Sequence, residues 1–203
     1  RGGSVSINTG ATDHSSTVDV HVQGHGTLSI AGAGLVLDDA SFLGTSNLAM
    51  TITAPVAATS DGSIALTSST GPVAIEAAIT TDDGNVQITA FMDVTQSASG
   101  DITVGAADVE ITATTGAITM DTAALTRSTG GNVIYLAGSS ITVGSLESSN
   151  GDVFVNSGAD VLNVGDVTDD VSGNTVTVNA QHSIDLDTSA VEVVLHSSVS
   201  GSI

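Results

Sequence analysis

The sequence contains no cysteine, no lysine and no tryptophan, has only two prolines, and takes just 2% of its residues from aromatics. Without cysteine there can be no disulfide and no thiolate metal site. Without lysine a Lys–Asn isopeptide cross-link cannot form. The only cations are Arg1 and Arg127, against 22 acids, which leaves a net charge of -20. That balance removes the cationic surface needed to hold DNA, RNA or an anionic membrane. No apolar run reaches membrane-spanning length, so membrane insertion is not expected either.

What is present is small and β-branched. Hydrophobic residues make up 40% of the chain, almost all of them Val, Ile, Leu and Ala, beside 23 glycines. A core short of rings suits thin, regular layers. Disorder is excluded because apolar residues alternate with a strict period of two. No stretch of twelve residues carries a helical apolar face free of Gly or β-branched interruptions. Most acids are Asp, which favours turns.

One phrase recurs throughout. Gly100–Ala113 reads GDITVGA then ADVEITA: a turn residue, a spacer, then apolar, polar, apolar, polar, small. Variants follow at GPVAIEA, GNVQITA, GNVIYLA, GDVFVNS and HSIDLDT. Phrases starting at 26, 46, 62, 84, 100, 116, 131, 151 and 173 are separated by 15 to 22 residues, about 18 on average. A second phrase usually follows the first by about 8 residues, with a variable return segment after it. Such self-similarity is the mark of a solenoid whose turns bury a face only against their neighbours. The predicted fold is therefore all-β: one elongated β-solenoid (parallel β-helix) over residues 1–203, with edge strands at 1–25 and 191–203. A β-sandwich is the alternative.

Strand phase then assigns directions. Ile102, Val104, Val109 and Ile111 point inward, while Thr103 and Glu110 point outward. Val86, Ile88, Val133, Tyr135, Val153, Val155, Ile184 and Leu186 are equivalent inward sites. About ten rungs at about 4.8 Å each give a rod about 50 Å long. The small residues closing each phrase, such as Ala90, Gly105 and Ala113, let the backbone turn a corner.

The paired phrase G-[ND]-[VI]-x-[VI]-x-[AS], from about Gly26 onward, resembles the filamentous haemagglutinin-like repeats of large bacterial exoproteins and other β-strand-repeat surface proteins. The resemblance is one of repeat style. It implies a parallel β-helix that serves as a secreted adhesin, biofilm component or surface layer, and it brings no catalytic residue. The chain departs from that style in its acidity and its irregular returns.

Several residues are candidates for chemistry. Asp82–Asp83 in TTDDGN and Asp166, Asp169 and Asp170 in GDVTDDVSGN could supply carboxylates and loop carbonyls to calcium, which takes six to eight oxygen ligands. Ordinary solvated turn acids explain them equally simply. His21 and His25 are four apart, but on an extended strand that is about 13 Å, too far to share an ion. His14, His182 and His196 read as isolated. His182, Ser183 and Asp185 have the residue types of a hydrolase triad, yet one short strand does not converge them. Arg127 in LTRSTGG is expected in a turn, paired with a nearby acid. Pairs such as Thr51–Thr53, Thr112–Thr114 and Thr175–Thr177 are not evenly repeated, which argues against a flat threonine array. No cofactor is required on this reading, calcium being the candidate.

The ends form the last prediction. Neither carries a capping helix, an edge lysine or an edge proline, the usual devices against strand addition. Val5 and Ile7 at one end, and Val191, Val193 and Leu195 at the other, are expected to pair with further copies of the chain or with flanking repeats. The sequence thus predicts a non-enzymatic, extracellular, cell-surface β-solenoid of bacterial type, structural and adhesive, acting as a filament unit or stalk segment. Its partners would be itself and surface carbohydrate or a neighbouring cell. The alternatives are a calcium- or carbohydrate-binding module and a polysaccharide-active enzyme.

Overall fold

Alternating Val, Ile and Thr residues favour extended backbone, and here they form many short strands. The computed structural model describes residues 5–8, 12–13, 17–22, 26–165 and 170–198, with side chains from residue 26 onward. The strands pair in parallel, each on the rung before it, so the chain winds as a β-solenoid rather than an antiparallel sandwich.

Each turn has three legs, and like legs stack into three walls. The first wall is a nine-stranded sheet. It contains β1 (Val5–Asn8), β4 (Leu28–Ala31), β7 (Met50–Ile52), β10 (Val73–Ile75), β13 (Val94–Gln96), β16 (Ile118–Met120), β19 (Ile141–Val143), β22 (Val161–Asn163) and β24 (Ile184–Asp185). The second wall stacks β2 (Thr12–Asp13), β5 (Leu35–Leu37), β8 (Val56–Ala58), β11 (Ile79–Thr81), β14 (Ile102–Val104), β17 (Leu125–Ser128) and β20 (Ser145–Ser148). The third stacks β3 (Thr17–Val22), β6 (Ser41–Ser46), β9 (Ile64–Ser68), β12 (Val86–Ala90), β15 (Val109–Ala113), β18 (Val133–Ala137) and β21 (Val153–Ser157). Two long strands close the stack: β23 (Val171–Ala180) and β25 (Thr188–Ser197) each continue both the second and third walls.

The three-legged turn corrects the repeat length read from the sequence. GDITVGA and ADVEITA are consecutive legs of one turn, β14 and β15, and the stretch taken for a loose return is a third strand. Phrase starts at 84, 100, 116 and 131 fall on the third, second, first and third walls, so their spacing measures legs rather than turns. Register partners show the true period: Val109 lies on Val86, Val133 on Val109 and Val153 on Val133. Nine strands in the first wall make a stack of about 40 Å at about 4.8 Å per rung, shorter than the 50 Å expected.

The inward assignments hold. Ile102, Val104, Val109, Ile111, Val86, Ile88, Val133, Tyr135, Val153, Val155 and Ile184 are buried in one continuous core, with Leu186 half-buried against it. Each fully buried Val or Ile contributes about 1.5–3 kcal/mol. Thr103 and Glu110 face outward and are half-buried between neighbouring rungs.

The corner between the second and third walls has its own chemistry. The buried Ser128 hydroxyl accepts the Gly131 N–H at 2.8 Å and donates to the Ala107 carbonyl of the previous rung at 2.7 Å. One rung later Ser148 does the same with Gly151 N–H at 2.9 Å and the Gly131 carbonyl at 2.7 Å. Glycine closes this corner because rungs touch there. A Cβ on Gly84 would stand 2.0 Å from the Gly62 carbonyl oxygen.

Candidate functional site

The commonest chemistry-bearing residues, Asp and Asn, lie mostly at the corners, where they bind backbone. On the residue following Gly84, Ala107, Gly131 and Gly151 at this corner, side chains form a ladder. Asp108 N–H donates to Asn85 Oδ1 at 3.0 Å, and Asn132 N–H to Asp108 Oδ1 at 2.7 Å. Asp152 N–H donates to Asn132 Oδ1 at 2.9 Å, and Thr175 N–H to Asp152 Oδ1 at 3.0 Å. The [ND] of the repeated phrase is therefore a rung-to-rung cap. The same device recurs elsewhere: Ala117 N–H donates to Asp93, Leu125 N–H to Asp101 and Ser183 N–H to Asp160. A carboxylate accepting a backbone N–H is a charge-assisted bond.

The calcium candidates fall into two separate places. Asp82 and Asp83 are exposed on the corner between β11 and β12, and Asp82 Oδ2 accepts Ser60 N–H at 3.2 Å. Asp170 is fully buried beside β23, and its Oδ2 accepts Asp187 N–H at 2.8 Å. Asp166 and Asp169 lie outside the described residues. Among the described residues, no three His, Asp or Glu side chains converge as a metal set would. His14 and His25 also lie outside them. The backbone of His21 is in β3, and His182 and His196 are exposed. Ser183 sits half-buried before β24, with Asp185 exposed on that strand.

Arg127 is not in a turn. It projects from β17, and its Nε reaches Glu147 Oε2 at 2.7 Å on the adjacent strand. Both side chains are well exposed, so the pair adds at most about 1 kcal/mol.

Two features escaped the sequence reading. The first is a polar cluster inside the core. Gln96 from the first wall, Thr126 from the second and Tyr135 from the third are all buried. Tyr135 donates to Gln96 Oε1 at 3.0 Å and lies 2.7 Å from the Thr126 hydroxyl. Gln96 Nε2 donates to the Leu125 carbonyl at 3.0 Å. Burial pushes the Tyr135 phenol well above its ordinary pKa, offset in part by the Thr126 hydrogen bond. The sole Tyr of the chain and a Gln and a Thr in inward phase were the available signals.

The second is a threonine column. Thr45, Thr67, Thr89 and Thr112 stack in register on four successive rungs of the third wall. Their sequence spacing is nearly constant at 22, 22 and 23 residues, but of the threonine pairs read from the sequence only Thr112 belongs to this column. They form a single file: the adjoining outward column is Leu43, Ala65, Gln87 and Glu110.

Among the described residues, the most exposed large apolar side chain is Val191 of β25. Within β25, Val191 is 91% exposed, Val193 41% and Val194 42%. Val193 and Leu195 occupy the core columns over Val176 and Val178. Among the described residues β25 pairs with β23 alone. At the opposite end the backbone of β1 pairs with β4, placing Val5 over Leu28 and Ile7 over Ile30.

Fold and surface together define a class, a three-walled parallel β-solenoid with acid-capped corners and an apolar terminal rung. No protein-family model matches the chain, and no curated protein or solved structure is significantly similar to it.

Proposed function

We propose that the chain is a stiff, acidic structural rod of a bacterial cell surface, a filament unit or stalk segment that takes part in adhesion. The observation that carries this reading is the use of its polar chemistry. Asn85, Asp108, Asn132 and Asp152 join rung to rung through backbone hydrogen bonds, in parallel with a continuous apolar core. Such a stack resists bending because each rung is held by ladder bonds in all three walls and by side-chain caps at the corner. The style of the repeat phrase, which resembles filamentous haemagglutinin-like exoproteins, supports the surface location.

The test is antibody labelling of intact and permeabilised producing cells, combined with pulling of single molecules. Surface labelling of intact cells and stepwise unfolding in rung-sized increments are expected. Labelling only after permeabilisation would overturn the surface role. Unfolding of the stack at forces typical of loosely packed helical domains would overturn the rod.

A further inference from the structure

Carboxamides hold the corners of this fold together, yet one row of them is left out. Asn85 and Asn132 accept backbone N–H groups of the next rung, and Asn150 and Asn174 donate to carbonyls of the rung before. In the third wall a different set stacks in register: Asn156 of β21, Asn179 of β23 and His196 of β25. Gln181 follows β23 on the adjoining corner. None of these four side chains has a hydrogen-bond partner among the described residues. Asn179 is half-buried and the other three are exposed.

The four border a groove of about 300 Å³ on the flank of the rod. Small residues, Ala137, Gly158 and Ala180, line it between them. Phe154 stands half-buried on the same outward face of β21, two residues before Asn156 and so about 7 Å along the strand. No acid and no arginine lines the groove, on a chain that carries 22 acids.

That chemistry selects a ligand class. Carboxamide and imidazole side chains both donate and accept, as a sugar hydroxyl does. Three of them, spaced at about 4.8 Å per rung, offer a polar contact on each successive strand. The Phe154 ring adds a flat apolar face beside them. A uronate polymer finds no counter-charge here and meets a net charge of -20, which repels it. We infer that this groove binds a neutral oligosaccharide, laid along the rod axis across β21, β23 and β25. Its hydroxyls bond Asn156, Asn179 and His196, and a pyranose face lies against Phe154. The groove is on the flank, so a further rung at the end of the stack would lengthen it rather than cover it. The inference rests on the reading of the chain as an adhesive rod and names the partner of that rod.

The experiment follows the side-chain amide signals of the full chain by nuclear magnetic resonance. The probes are cellotetraose, mannotetraose, galactotetraose, maltotetraose and xylotetraose, with tetragalacturonate as the charged counterpart. At least one neutral sugar is expected to shift the Asn156, Asn179 and Gln181 amides together, with an affinity of about 1 mM. Asn179→Ala should weaken that binding about tenfold. Its melting should match wild type, because the amide has no partner in the fold. Phe154→Leu keeps the bulk of the side chain, loses the ring and should weaken binding severalfold. Gln87→Ala, on the same wall three rungs away, should leave it unchanged. No shift with any neutral sugar at millimolar concentration overturns the inference. So does tighter binding of tetragalacturonate, or binding that survives both Asn179→Ala and Phe154→Leu. Each of these results leaves the rod itself standing, since cell labelling and pulling test that reading separately.

Discussion

Rungs β15 and β25 carry nearly the same inward pair in the same columns, and they differ almost only in their surroundings. Val109 and Ile111 in the middle of the stack are essentially inaccessible, whereas Val193 at the end is 41% exposed. The inward residues are apolar in both, with Glu110 between them in β15 and Val194 in β25. A solenoid leg therefore has no inside of its own. Its burial is conferred by the rungs above and below, and the same residues stabilise or lie open according to position in the stack.

The sharpest way to break that comparison is at glycine. Gly84→Ala puts a methyl against the Gly62 carbonyl oxygen, a backbone atom that cannot rotate away, so two interior rungs must part. A destabilisation of about 3 kcal/mol or more is expected, the upper range of overpacking. Gly173→Ala meets first the Val153 Cγ2 at 3.2 Å, a contact that a shift of a few tenths of an ångström relieves. It should stay within about 1 kcal/mol of wild type. Denaturant titration of the two variants reads the contrast directly, and equal effects would mean that rung contact is not what fixes the corner.

Truncating the inward pair itself comes next. Ile111→Ala should cost about 2–5 kcal/mol, because a cavity opens between two rungs that cannot collapse. Leu195→Ala removes a side chain with a neighbour on one side only and should cost about 1 kcal/mol.

This difference also marks what the sequence could reveal. Alternation within a leg is a local property, so the all-β class and the directions of Ile102, Val109 or Val153 were legible from spacing alone. The turn length was not, because legs of all three walls carry the same short phrase, so that starts at 84, 100, 116 and 131 look like successive turns when they are legs of different walls. The acids stood out as a cluster of charge, yet their partners are backbone amides about one turn away, which no local motif displays. The core cluster of Gln96, Thr126 and Tyr135 assembles across three walls and two turns, so each residue looked like a blemish in its own strand.

That cluster gives a third, intermediate test, of what the middle of the stack does to a polar group. The Tyr135 phenol is fully buried and its pKa is raised by desolvation. In the unfolded chain it ionises near its ordinary value of about 10. A group whose folded pKa is raised holds its full stabilisation below the unfolded value and loses it as pH climbs beyond. Wild type should therefore weaken from about pH 10 upward. Tyr135→Phe should lose about 1–1.5 kcal/mol at neutral pH, through the missing hydrogen bond, but show a flatter alkaline limb. Because Tyr135 is the only tyrosine, ultraviolet titration reports it alone, and ionisation of the folded protein at the ordinary pKa would contradict its burial.

The smallest expected effect asks whether the charge of the corners matters at all. Asp108 accepts Asn132 N–H through Oδ1, and one rung on Asn132 fills the same role for Asp152. An amide oxygen accepts as a carboxylate does, and the ladder alternates Asn and Asp without a change of geometry. Asp108→Asn should therefore lie within about 0.5 kcal/mol of wild type. At low salt it should melt slightly higher, because one like charge leaves a strongly acidic surface. Asp108→Ala removes the acceptor and should cost about 1 kcal/mol. If the corners are caps alone, adding calcium or EDTA should leave all three melting curves in place. A wild-type curve raised by calcium, with Asp108→Asn as damaging as Asp108→Ala, would mean that the carboxylates hold a cation as well as the next rung.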